Sequence, residues 1–128
     1  MAMHGLSGTV QPRFDRGVLE ALIEMIGPDS VRDFLNEFGD LVRTQHDAIR
    51  AAFDAGDFDV LYREAHNLVS TAGNLGIKRT SALADVVQNE ARAGEVAGLV
   101  SSVEDLLVEL EAAIAALPGI IAQDASVA

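Results

Sequence analysis

The stretch GDFDVLYREAHNLVSTAGNLG, running from Gly56 to Gly76, decides the fold. Its apolar residues Phe58, Leu61, Ala65, Leu68, Ala72 and Leu75 recur three and four apart without a miss, the spacing of one face of an α-helix. Asp57 stands where a helix N-cap is expected and Gly76 closes the segment. With Phe58 and Leu61 at inner a and d positions, His66 falls at a b position and points away from the core.

The same reading extends both ways. Upstream, a short helix is expected from about Asp15, with Val18, Leu19, Leu22 and Ile26 inward, stopping at Gly27-Pro28. A long helix follows from Asp29 or Ser30 to Ala55-Gly56. Its inward positions are Val31, Phe34, Leu35, Phe38, Leu41, Val42, Ile49 and Phe53. At 1.5 Å per residue it is about 40 Å long, enough for a bundle stave. Downstream, a helix from about Arg79 to Ala93 turns Leu83, Val86, Val87 and Ala91 inward and ends at Gly94. The last carries Val96, Leu99, Val100, Val103, Leu106, Leu107, Leu110, Ile114 and Leu117, and Pro118 is expected to stop it.

Short connections between long amphipathic helices force antiparallel neighbours. The expected fold class is all-α: an antiparallel up-down four-helix bundle with a short additional N-terminal helix. Residues 1–14, rich in Gly, Ser and Pro, read as a flexible leader; 15–118 form the bundle domain; 119–128 read as a flexible tail. The apolar stripes suffice for one intramolecular bundle, which points to a monomer.

Composition narrows the function. The chain has 128 residues, enough for one ordinary domain. Nine basic residues against twenty acidic ones give a net charge of −11, the wrong sign for binding nucleic acid or an anionic membrane. There is no cysteine, so thiolate catalysis, disulfides and Cys-ligated zinc are excluded. No apolar run approaches the roughly 18 residues that span a bilayer, and no signal-peptide pattern opens the chain, so a cytoplasmic protein is expected. A carboxylate-bridged metal core needs inward Glu-x-x-His pairs, yet Arg63 precedes His66 by three and Arg43 precedes His46 by three. Neither a metal site nor a nucleotide-binding loop is expected.

Of the three histidines, His4 lies in the leader and His46 at the edge of the second helix. His66 stands out by its surroundings. Tyr62 and Arg63 lie one turn before it, Val69 and Ser70 one turn after, and Gly73 a turn further on. A glycine inside a helix costs about 1 kcal/mol relative to alanine, which hints that something approaches closely there. From Arg63 to Arg92, four basic residues (Arg63, Lys78, Arg79, Arg92) face three acidic ones, so this stretch nets +1 in a chain whose remainder nets −12. An exposed imidazole in that one patch suits phosphoryl chemistry, although many surface histidines on helices do nothing.

The run from His66 to Gly76 resembles the signature of histidine-containing phosphotransfer (HPt) domains, whose pattern is His, any residue, Leu, Lys, Gly, four small variable residues, then Leu-Gly. His66, Leu68, Leu75 and Gly76 match in register, and the resemblance extends over roughly residues 15–117. It implies that His66 is phosphorylated and relays phosphoryl groups between receiver-domain aspartates in a two-component phosphorelay. It further implies partnership with response-regulator receivers and a (hybrid) histidine kinase, Mg²⁺ supplied by the receiver and no intrinsic cofactor, and no kinase activity of its own. Two positions depart from the pattern: Val69 replaces the Lys that neutralises the incoming phosphoryl group, and Ser70 replaces the Gly. Some family members place a Gln and an Arg of the following helix near the histidine, and the matching positions are Gln88 and Arg92. Arg92 is the favoured replacement for the missing Lys, with Arg63 and Lys78 behind it, and Tyr62, Val69, Ser70 and Gly73 are expected to form the receiver docking surface. The alternative is an HPt-like docking regulator that binds a receiver or kinase without carrying phosphate. A plain scaffold bundle would leave the His66 patch unexplained.

Overall fold

Asp15 starts the first helix as the sequence suggests: its Oδ1 accepts the Val18 N–H at 3.2 Å, satisfying one of the donors that a helix N-terminus leaves orphaned. In the computed structural model, which describes residues 11–125 and the side chains of 11–122, helix α1 then spans Arg16–Ile26. Gly27 turns the chain into α2 (Pro28–Ala55), with Pro28 in the first turn, where its missing N–H costs nothing. Gly56, left-handed at φ 70°, ends α2, and Asp57 caps α3 (Phe58–Asn74) by accepting the Val60 N–H. After the turn through Gly76 come α4 (Lys78–Ala93) and α5 (Val96–Ala125). All regular structure among the described residues is helical.

Helices α2 to α5 pack in a ring, each against its chain neighbour and α5 closing back onto α2, while α1 leans on α2. This is the expected four-helix bundle with an additional N-terminal helix. Leu61, Ala65, Leu68 and Ala72 are fully buried and meet Leu106, Leu107 and Leu110 in one core. No helix among the described residues is long and apolar enough to cross a membrane.

Several expected inward positions lie on the surface instead. Phe34, Leu41, Val86, Val96 and Val100 are 37–59% exposed, and Ile26 is exposed as well. On α2 the buried stripe runs through Val31, Leu35, Phe38, Val42, Ile49 and Ala52. At about 100° per residue, Phe34 and Leu41 sit roughly 60–80° from its centre, at the edge of the stripe, where Ala52 is covered by its neighbours but these two are not. The inner faces are also less purely apolar than expected, since Gln45, Thr80, Gln88 and Glu109 are all buried.

Both ends of the domain differ from expectation. Residues 11–14 are not a loose leader where they are described. Lys78 N–H donates to the Arg13 carbonyl at 3.0 Å, Asp15 N–H to Gly76 O at 2.7 Å, and Arg79 Nε to Gln11 O at 2.8 Å. Arg13 reaches across to buried Glu109, with Nε to Oε2 at 2.7 Å and Nη2 to Oε1 at 3.1 Å, and Arg79 Nη1 stands 3.8 Å from the same carboxylate. At the other end α5 continues through Pro118 to Ala125, so the proline does not stop it. Pro118 gives up one backbone hydrogen bond. Burial of Leu117 on the turn before, and packing of Ile120 and Ile121 against the core on the turn after, outweigh that loss. The expected leader residues 1–10, including His4, and the last three tail residues lie outside the described residues.

Candidate functional site

Helices α3 and α4 make the most extensive contact in the bundle, and their register assembles the site. Near the α3–α4 turn a Cβ on Gly73 would come within 3.3 Å of Ser81 Oγ, and that hydroxyl donates to Val69 O at 2.8 Å. Further along, the same two faces bring His66 to Gln88 and Tyr62 to Arg92. The helices therefore run antiparallel with side chains meeting turn by turn.

His66 is exposed on α3, and its Nδ1 lies 2.8 Å from Gln88 Oε1. Gln88 is 8% exposed, and its Nε2 donates to Asp85 Oδ1 at 2.6 Å. With the amide oxygen facing the ring, Nδ1 carries the proton and donates it, which leaves Nε2 with its lone pair. The Tyr62 ring stacks beneath the imidazole, centroids 5.5 Å apart and planes at 18°. Arg92 is fastened to Tyr62 rather than to His66: its guanidinium lies 5.1 Å from the ring centroid and Nη2 donates to the phenol oxygen at 3.2 Å. Tyr62, His66, Gln88 and Arg92 thus form one connected assembly, with a cation held one turn from the imidazole.

The other expected residues are placed as follows. Arg63 is exposed one turn before His66. Lys78 is not brought to the histidine: it pairs with Asp15 Oδ2 at 3.7 Å, and ten residues of α4, about 15 Å, separate it from Gln88. Val69 is half-buried against the core and Ser70 is exposed beside His66. Gly73 is exposed at the surface, but its bare face lies against Ser81, so close packing of α3 on α4 also calls for a glycine there. His46 lies on α2, its Nε2 2.9 Å from Glu111 Oε2 on α5.

The sequence reading overlooked Asp85 and the flank beyond it. An open groove of about 490 Å³ runs beside the histidine face, lined by Val18, Val69, Gly73, Lys78, Ala82 and Asp85 among others. Its wall from α1 becomes visible only once Asp15 and Gly76 are hydrogen-bonded. Asp85 carried a faint signal, standing one helical turn before Gln88.

No curated protein matches the chain. Among solved structures it is similar to the crystal structure of histidine-containing phosphotransfer protein B (HptB) from Pseudomonas aeruginosa PAO1. That match has a TM-score of 0.81 and 22% identity, and covers 88% of this chain and 96% of the other. At that identity the likeness speaks for the fold. A family model for the Hpt domain matches residues 33–119, a span that takes in most of α2, all of α3 and α4 and most of α5, with the exposed His66 inside it. On that match the chain belongs to the Hpt domain family of histidine-containing phosphotransfer proteins.

Proposed function

We propose that the chain relays phosphoryl groups between receiver-domain aspartates through His66. Family membership supports phosphotransfer in a phosphorelay, with receiver domains and a histidine kinase as partners in the cytoplasm. The observation that carries the assignment to His66 is its geometry: Nδ1 is held by Gln88 while the ring stays exposed, so Nε2 is free to meet a partner.

In the forward step the Nε2 lone pair attacks the phosphorus of an aspartyl phosphate on the receiver. The P–O bond to the aspartate breaks and the carboxylate leaves with that electron pair. The ring then carries a positive charge, with Nδ1–H still donated to Gln88 Oε1. In the second step a different receiver's carboxylate attacks the phosphorus, the N–P bond breaks, and its electron pair returns to Nε2. Such transfer depends on positioning and charge neutralisation. Tyr62 and Gln88 position the ring, and Arg92 and Arg63 offset the phosphoryl charge in place of the family Lys. Receiver docking falls on Tyr62, Val69, Ser70 and Gly73, around the nucleophile. The magnesium belongs to the receiver in this reading. Among the described residues, no group of three or more His, Asp or Glu side chains is placed to hold a metal ion. Hpt proteins carry phosphoryl groups rather than act as kinases, and the bundle needs no nucleotide for either step.

The test is incubation with a panel of phosphorylated receivers, read by intact mass and phosphopeptide mapping at neutral or alkaline pH because phosphohistidine is acid-labile. Label on His66, absent in His66→Gln while receiver binding is retained, is the expected result. Binding without label on any receiver would overturn the relay and leave a docking regulator.

A further inference from the structure

We infer that Asp85 selects the tautomer of His66 by orienting the Gln88 amide, and so makes Nε2 rather than Nδ1 the phosphoryl acceptor. This rests on the relay reading for its purpose, but not for its geometry.

A glutamine amide presents oxygen and nitrogen at the ends of nearly the same shape, so its neighbours decide which end faces which way. The Gln88 amide has two neighbours, His66 Nδ1 at 2.8 Å and Asp85 Oδ1 at 2.6 Å. An imidazole nitrogen can donate or accept and is therefore indifferent. A carboxylate only accepts, so it requires the amide nitrogen at its own end. Turning the amide over would set two acceptor oxygens 2.6 Å apart in a side chain that is 8% exposed, where little water can replace the lost bond. The amide oxygen is thereby directed at the ring, and the ring proton at Nδ1. The preference originates in Asp85 and reaches the histidine through Gln88.

Two further points favour this role. Asp85 puts a negative charge beside a site that receives an anion, an arrangement that charge matching alone would not select. Its compensation comes as the ring turns positive on phosphorylation, when a carboxylate behind the amide strengthens the Nδ1–H···Oε1 bond. Asp85 and Gln88 are also one turn apart on a rigid helix packed against α3, so the three groups stay in register without a loop. Asp85 touches neither the phosphoryl group nor the ring and is a positioning residue.

The experiment is an imidazole ¹⁵N–¹H correlation spectrum of the full chain at a pH where histidine is neutral, for the wild type, Asp85→Ala and Asp85→Asn. Asp85 is solvent-exposed, so neither substitution opens the core. Wild type should show His66 protonated at Nδ1. Asp85→Ala should let a second population, protonated at Nε2, appear, and so should Asp85→Asn, whose amide can turn either its oxygen or its nitrogen toward Gln88. His46 provides an unchanged reference in each spectrum. Transfer from a phosphorylated receiver at saturation should fall about two- to fivefold in Asp85→Ala, following the fraction of competent tautomer, with the half-saturating receiver concentration unchanged. After treatment with a small-molecule phosphoramidate, part of the label should move from Nε2 to Nδ1 in that variant. Nε2 protonation in the wild type, or an Asp85→Ala spectrum identical to wild type, would overturn the inference. The spectra need no receiver, so failure of the relay reading leaves them interpretable.

Discussion

Gly76→Ala should destabilise the bundle about twice as much as Gly56→Ala, although the two glycines have nearly the same backbone. Both are left-handed, at φ 74° and φ 70°, so an added side chain meets the same conformational penalty at each, about 1–2 kcal/mol. Their surroundings differ. A Cβ on Gly56 would have nothing within 4 Å, whereas on Gly76 it would stand 3.1 Å from Asp15 O and 3.1 and 3.2 Å from Val18 Cβ and Cγ1. The Asp15 backbone has little room to retreat, because its N–H is bound to Gly76 O at 2.7 Å and its carbonyl accepts the Leu19 N–H at 3.1 Å. Overpacking of this kind adds about 1–3 kcal/mol. The expected losses are about 3 kcal/mol at Gly76 and about 1.5 kcal/mol at Gly56. That gap corresponds to a difference of roughly 6 °C in Tm for a chain of this size. Urea unfolding followed by circular dichroism, with m-values compared to confirm an unchanged native state, measures it. Equal losses at the two sites would show that the segment before α1 does not pack on the α3–α4 turn, and the groove beside His66 would lose that wall.

Two other perturbations follow from the same contacts. Arg13→Ala removes the closer ion-pair partner of the buried Glu109 carboxylate, leaving Arg79 Nη1 at 3.8 Å, and should cost about 1–2 kcal/mol by chemical denaturation. That is below the range for a fully buried pair, because the Arg13 side chain is one-third exposed. The hydrogen bond and charge of Glu109 raise the Arg13 guanidinium above its ordinary value despite some opposing burial. A raised cation stabilises at every pH below its unfolded value and loses that contribution only as pH climbs through the folded one, so this part of the Arg13 effect should be flat except at strongly alkaline pH. Loss of the Arg13 effect near neutrality would contradict that assignment. On the relay proposed above, Val69→Lys sets an ammonium one turn from His66 and should speed transfer from a phosphorylated receiver about tenfold in rapid-quench assays. Its stem can lie where Val69 lies half-buried, so stability should change by less than about 1 kcal/mol. An unchanged rate would mean that Arg92 and Arg63 already supply the needed charge.

The helices and their handover points were legible in the residues, because period and capping are local properties. Leu61, Ala65, Leu68 and Ala72 are buried as their spacing requires, and His66, offset from that stripe, faces out. The motif around His66 could be read as a candidate site for the same reason: its residues share one helix, and one helix has only one geometry. What local pattern could not determine was any quantity set by a second element. The edges of the α2 stripe depend on how far the neighbouring helices wrap around it, which leaves Phe34 and Leu41 outside and Gln45 within. Pro118 breaks a local rule and is overruled by the burial of Leu117, Ile120 and Ile121, a contact gain invisible to a rule about one residue. Arg13 looked like part of a leader until Glu109, on the opposite end of the chain, supplied its partner. Lys78 and Arg92 were both candidate cations in the sequence, and the α3–α4 register alone separates them, taking Lys78 to Asp15 and Arg92 to Tyr62. The sequence by itself determined that an exposed histidine would ride on a four-helix bundle. Tertiary structure decided which of its nitrogens is free, because the path from Asp85 through Gln88 to His66 crosses between two helices whose relative register is a property of their packing.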